Sequence, residues 1–175
     1  MQKLLKTGVL LGCMAAALFA VEVGTVLPHA VLEGKNGGRS DGKAWDSGQL
    51  QGKVHVLMYM DPDERKAAMP FLDSLNGSDF PTKEYSTVAV VNLAATWMPD
   101  ALLETMLEKK EKELKNTVFV FDKTKHLLKK WQMKDDDSNV LVLDKKMVVL
   151  YQKSGTLSAQ DQKEIFDLVK KSLTR

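Results

Sequence analysis

Two short acidic clusters hold the side chains best spaced for chemistry in this chain. Asp61-Pro62-Asp63-Glu64 places three acids in four positions directly after an apolar run, and Asp135-Asp136-Asp137-Ser138 places three more in a second stretch. Clustered carboxylates with carbonyl oxygens nearby suit a hard divalent cation such as calcium. Like charges held together also raise the pKa of one carboxyl, which suits general acid–base work. A plainer assignment accounts for the first cluster without any ligand. Asp61 is a favoured helix N-cap, Pro62 fits the first helical position, and Asp63 and Glu64 complement the helix dipole. Asp61 and Glu64 are also spaced like a capping box. Arg65 and Lys66 follow as candidate counter-charges. The order of acids matches no EF-hand loop.

Other chemistry-bearing residues are sparse. The three histidines, His29, His55 and His126, are scattered and no H-E-x-x-H spacing occurs, so zinc is not expected. His55 alternates with Val54 and Val56 and reads as a satisfied, partly buried strand residue. No G-x-S-x-G elbow is present. Neither a metal nor a cofactor is assigned. Between Lys123 and Lys134, six basic residues surround Leu127, Leu128 and Trp131. The expected arrangement turns Leu128 and Trp131 inward and leaves the lysines wet. The alternative is an anion-binding or partner-facing patch.

The only cysteine is Cys13. It lies in a segment that reads as an export signal: Lys3 and Lys6 form a basic start, and Val9 to Phe19 is almost wholly apolar. That run is shorter than the ~20 apolar residues of a membrane span and fits the core of a secretory signal. Cleavage is expected after Ala20, giving a signal over residues 1–20 and a single mature domain over 21–175, periplasmic and without a stable membrane span. Leu10-Leu11-Gly12-Cys13 offers a lipid-anchored alternative through Cys13. Two of the 25 basic residues and none of the 23 acids precede Val21, so the remaining charges balance. A neutral domain has no electrostatic footprint for nucleic acid, and none is expected as a partner.

The elements that must position the acids follow from periodicity. Val54 to Met60 is apolar on both alternating faces, as a central covered strand should be. Asp63 to Leu75 has helical spacing, Thr87 to Leu93 is a second strand, and Pro99 to Lys115 is a helix with Leu102, Leu103, Met106, Leu107 and Leu114 as its stripe. Thr117 to Phe121, Asn139 to Leu143 and Val148 to Gln152 complete the main strands, the last two joined by a turn at Asp144 to Met147. Ser158 is expected to cap a final helix. Before these, Val26-Leu27-Pro28 and Ala30-Val31-Leu32 read as paired edge strands, Gly34 to Gly42 as a surface loop, and Trp45 and Trp97 as covers of the core. The order predicts an α/β domain: a mixed sheet with helices on both faces.

Leu50-Gln51-Gly52-Lys53 before a buried strand resembles the entry of exported thioredoxin-like proteins. Val140 to Gly155, reading VLVLDKKMVVLYQKSG before a Ser-initiated helix, resembles their ending. Trp45, Ser47, Gln49-Leu50, Gly52-Lys53-Val54, Val142-Leu143-Asp144-Lys145, Gly155 and Leu157 are similar, more closely, to the YtfJ-like family of small periplasmic proteins. The resemblance implies a thioredoxin-like fold and no settled activity. It also implies a place for chemistry, the start of the helix after the central strand, facing the loop before the fourth strand. The first position here reads Asp61-Pro62-Asp63-Glu64, where the fold usually carries a CxxC motif, and Ser138 stands where a cis-proline is usual. Both redox markers are absent together, so thiol–disulfide or peroxidatic chemistry within the chain is not expected. The same topology would bring Asp61, Asp63, Glu64 and Arg65 towards Asp135, Asp136, Asp137 and Ser138. The expected function is a non-redox binding or interaction module for an envelope protein or small ligand. The alternative is a cysteine-independent enzyme or divalent-cation-binding protein using these carboxylates.

Overall fold

The computed structural model describes residues 21–174, so the expectations for the signal segment and Cys13 lie outside the described residues. Three parallel strands form the centre of a six-stranded sheet: β4 (Val54–Met60), β5 (Tyr85–Asn92) and β6 (Thr117–Asp122). Continuous apolar runs explain their position, because a strand covered on both faces has no side for polar residues. β7 (Asn139–Leu143) runs antiparallel to β4, and β8 (Val149–Ser154) antiparallel to β7. The first strand pair, β1 (Val31–Leu32) and β3 (Trp45–Asp46), forms a separate two-stranded sheet. The final member of the main sheet is β2 (Gly37–Arg39), antiparallel to β6, giving the order β2-β6-β5-β4-β7-β8.

β2 corrects the expectation of a surface loop at Gly34 to Gly42. This strand has no apolar pattern and joins the sheet through its backbone alone. Gly37 makes the approach feasible: a Cβ there would stand 1.9 Å from the Phe121 carbonyl oxygen, and its φ of +117° suits glycine. The expected pairing of residues 26–28 with 30–32 is also corrected. Val31 and Leu32 pair instead with Asp46 and Trp45, while Val26 bridges to Val148.

Alternation along the strands sorts the core into two layers. On one face, Val54, Val56, Met58, Met60, Phe119, Phe121, Val140 and Val142 pack against three helices. These are α1 (Arg65–Asn76), α2 (Asp100–Glu113) and, last in the chain, the helix Ala159–Leu173. On the other face, Leu57, Tyr59, Val88, Val90, Val120, Leu141 and Leu143 meet the lead-in residues Leu27, Leu32, Trp45 and Leu50 and the short α3 (His126–Lys130). Helices therefore lie on both faces, as expected, but unequally. Leu127, Leu128 and Trp131 are buried, which matches the inward reading of the lysine-rich segment. The helix Ala159–Leu173, α4, starts on the Ser158 capping box: the Ser158 hydroxyl accepts from the Asp161 N–H, and the Asp161 carboxylate accepts from the Ser158 N–H. On α2, Leu103 and Leu107 are buried while Leu102 and Met106 are exposed, so its stripe is narrower than expected. Trp45 covers the core, but Trp97 is 90% exposed and does not.

Candidate functional site

The parallel strands β4, β5 and β6 all end at the same edge, each in a polar residue: Asp61 just beyond β4, Asn92 at the end of β5 and Asp122 at the end of β6. Open α/β sheets characteristically place ligand sites beyond the carboxyl ends of their strands. Asp61 is only 7% exposed, and its Oδ1 accepts a 2.7 Å hydrogen bond from Asn92 Nδ2. Burial pushes its pKa up, while the Asn92 bond and the Lys125 ammonium pull it back. The side chain makes no cap bond to the 3-10 turn at Pro62–Glu64. That corrects the N-cap and capping-box expectation. Pro62 has no N–H to offer, the Glu64 N–H is taken by the Asp61 backbone carbonyl, and the carboxylate turns inward to Asn92.

Glu64 reaches across instead. Its Oε2 accepts from the Ser138 hydroxyl at 2.6 Å, which ties the helix start to the loop before β7. The two predicted clusters do meet, but not with the expected membership. Single carboxylate oxygens of Asp61, Asp135 and Asp136 all lie within 4.8 Å of one another. Asp137 turns away to an ion pair with Lys134 at 2.7 Å, and among the described residues no ion pair forms to Asp63 or Arg65. Arg65 lies half-buried against Met60, Pro62 and Met69. The compensating cation is Lys125, whose Nζ donates to both Asp135 oxygens at 2.7 and 2.8 Å and stands 3.9 Å from Asp136. Lys125 holds the Asp135 carboxyl below its usual value, and Asp135 in turn raises the lysine.

Three participants were missed in the sequence: Asn92, Lys125 and Asp122. Asp122 is fully buried and accepts from the Tyr59 hydroxyl and from the N–H groups of Thr124, His126 and Leu127. It thereby caps α3 and fixes the turn that carries Lys125. An Asp followed two residues later by Thr at a strand end is a turn signal, and it could have marked this residue.

Beside this network, on the face covered by α1, lies a cleft of about 120 Å³. Met58, Ala68, Phe71, Val140 and Leu157 form its apolar wall, and Glu64, Asp137 and Ser138 its polar rim. Asp61 does not line it, so the up-shifted carboxyl and the cleft are separate features.

The family model described as "Bacterial protein of unknown function (YtfJ_HI0045)" matches residues 32–172. The chain belongs to this family. It is 29% identical to the uncharacterized protein YtfJ of Escherichia coli K12 over 136 residues, 75% of this chain and 73% of that one. An uncharacterized protein of Haemophilus influenzae is 28% identical over 135 residues, 71% of this chain and 70% of that one. Among solved structures, a putative protein disulfide isomerase from Bacteroides thetaiotaomicron matches with a TM-score of 0.64 at 16% identity, covering 89% of this chain and 92% of that one. A putative DsbE from Chlorobium tepidum matches at 0.62 and 17% identity, covering 88% and 99%. These likenesses establish a thioredoxin-like fold for this YtfJ-family chain. With one cysteine in the whole sequence, the chain cannot form an internal cysteine pair. The helix start, where such a pair would stand, is occupied by Asp61-Pro62-Asp63-Glu64. Among the described residues no helix is long and apolar enough to cross a membrane.

Proposed function

We propose that this protein is an exported, non-redox binding module, working in the periplasm after loss of residues 1–20. It uses the cleft between α1, the Asp137–Ser138 loop and the Gly155–Leu157 turn to hold an envelope protein or small ligand. The observation that carries this reading is the cleft itself: an apolar wall with a hydrogen-bonding rim at the fold's reactive position, where no cysteine stands. Such a mixture is the usual composition of a small recognition site. The test is a photo-crosslinking residue placed at Ala67, on the cleft wall, and separately at Lys109 on the exposed side of α2, in the native host. A discrete adduct at Ala67 only, lost when Ser138→Trp fills the cleft, supports the reading. No adduct, or equal adducts at both positions, counts against it. Recovery of the chain with the membrane in a form acylated at Cys13 would replace the released form with the anchored one.

A divalent-cation site is the second reading, because Asp61, Asp135 and Asp136 converge. Lys125 already places an ammonium among those oxygens, so any metal there must displace it.

A further inference from the structure

The composition of the α1 cleft narrows what can occupy it. Its volume of about 120 Å³ is well below the roughly 300–1,000 Å³ of a pocket that encloses a whole small molecule, so a single side chain fills it. Two acids line it, Glu64 and Asp137, and no basic residue does. Contacts within the chain fix both acids at the mouth. Glu64 Oε2 accepts from the Ser138 hydroxyl at 2.6 Å. The two Asp137 oxygens lie 3.7 and 3.8 Å from where a Cβ on Gly155 would stand, and Gly155 itself lines the cleft. Among the described residues, Glu64 Oε1 and Asp137 Oδ1 accept no hydrogen bond.

A cation already stands at this rim. Lys134 places its Nζ 2.7 Å from Asp137 Oδ2, and its pKa is raised by Asp137 first, with the Glu64 charge adding. It approaches from outside: the Lys134 side chain is 67% exposed and does not line the cleft. Its stem therefore leaves the apolar wall of Met58, Phe71, Val140 and Leu157 uncovered. A hard divalent cation would need roughly six to eight oxygens around it, and that wall supplies none. An alkyl stem ending in an ammonium suits both halves, with methylenes on the wall and the charged head at the acids.

We propose that the cleft takes a lysine side chain presented by a partner protein, its methylenes on the apolar wall and its ammonium at the Glu64 and Asp137 carboxylates, in place of Lys134. The assignment rests on the cleft being a binding site at all, and it names what that site recognises. Displacing Lys134 costs little, because its ion pair is exposed and screened by solvent. Asp61 and Lys125 do not line the cleft and take no part.

The experiment titrates the full chain with three blocked pentapeptides, Gly-Ser-X-Ser-Gly with X as lysine, norleucine or glutamate, and separately with free pentylamine. Ionic strength is matched, and the Met58 methyl and Gly155 amide resonances report binding. Norleucine keeps most of the lysine stem and lacks the ammonium. Saturable movement of both signals is expected with the lysine peptide, with norleucine roughly tenfold weaker, the scale of one charge-assisted hydrogen bond, and glutamate without effect. Lys134→Gln removes the resident competitor and should tighten the lysine peptide several-fold without changing norleucine. Damage to the fold cannot imitate that gain. Glu64→Gln keeps an acceptor for Ser138 and should weaken the lysine peptide alone. Norleucine binding as tightly as lysine, or no binding of the lysine peptide, would overturn the proposal. Neither result prevents a crosslink at Ala67, so the failure of this assignment and the failure of the cleft as a binding site are told apart. Pentylamine binding more tightly than the lysine peptide would also overturn it, in favour of a free small amine.

Discussion

His55 and Asp61 sit at the two ends of β4, both nearly buried, both facing the layer formed by the lead-in and α3, and their surroundings differ in kind. Around Asp61 the protein supplies its own partners: the Asn92 amide, the Lys125 ammonium shared with Asp135, and the Ser138–Glu64 bond that ties the loop to the helix start. Around His55 only one ring nitrogen is satisfied, and the neighbouring charged residues, Arg39 and Lys53, are both cations. An end that neutralises itself has little electrostatic appetite for an ion, however many acids it shows. The other end leaves a buried donor and a buried acceptor unmatched, and an unpaired buried polar group costs more than an exposed charge.

The largest effect that would break this contrast lies in Asp122, which holds the self-satisfied end together. Asp122→Ala leaves the buried Leu127 N–H and Tyr59 hydroxyl without an acceptor and frees the turn that carries Lys125. Destabilisation of roughly 3–5 kcal/mol is expected in urea melts, with Asp122→Asn recovering part of it. A loss under about 1 kcal/mol would mean that water replaces the carboxylate and the network is not self-contained.

The second effect is a pH dependence of opposite sign at the two ends. His55 has its folded pKa depressed from 6.5 to about 4, so the unfolded chain binds the extra proton. Its contribution is present above about pH 6.5 and lost as pH falls towards 4, a total of about 3 kcal/mol for a group this buried. Asp61 has its folded pKa raised, so its contribution runs the other way: it is present in acid and lost as pH rises past the usual carboxylate value of 3.8. Urea melts between pH 7 and 4 should show the His55 slope, and His55→Gln should flatten it. An unchanged slope in that variant would move the titrating group elsewhere.

How far these ends were legible follows from what specifies them. β4, β5 and β6 announce themselves through unbroken apolar runs, and the segments bearing the acids were found because helix starts and loops carry compositional signals. β2 gave no such signal, since Gly37 and Gly38 pair by backbone alone and leave no periodicity to read. The partners within each site were equally silent. Lys125 reaches Asp135 from a left-handed turn with φ of 56°, and Asn92 meets Asp61 only because β5 runs parallel to β4 in register. The vacancy at His55 Nδ1 depends on which carbonyl the other nitrogen finds, a tertiary fact. Trp97 misled for the same reason, because a large aromatic predicts burial only when a surface exists to receive it.

A third, smaller effect probes the β2 edge of the main sheet. Gly37→Ala forces a Cβ against the Phe121 carbonyl in a backbone conformation that suits glycine. A loss of about 2 kcal/mol is expected in urea melts. Parent-like stability would show that the edge can shift without cost.

The smallest effect sharpens the comparison at the acidic end, by asking whether Lys125 is its resident cation. Lys125 is half-buried but Asp135 and Asp136 are exposed, so solvent screens its ion pairs and they stabilise the fold only modestly, within about 1 kcal/mol. Its larger role is occupancy: an ammonium bound to both Asp135 oxygens leaves a divalent ion to compete for the same acceptors. In chelator-treated parent protein, calcium should therefore move the melting temperature no further than sodium chloride of equal ionic strength. Lys125→Met removes the ammonium while keeping the length of the side chain, and leaves Asp61, Asp135 and Asp136 close together without compensation. Calcium should then raise the melting temperature by several degrees, since a ligand bound only by the native state stabilises it by mass action. If the parent already responds to calcium beyond the salt control, the divalent-cation reading takes the place of Lys125 as the neutraliser. A flat response in both proteins would leave these carboxylates as solvated acids held apart by their own hydrogen bonds.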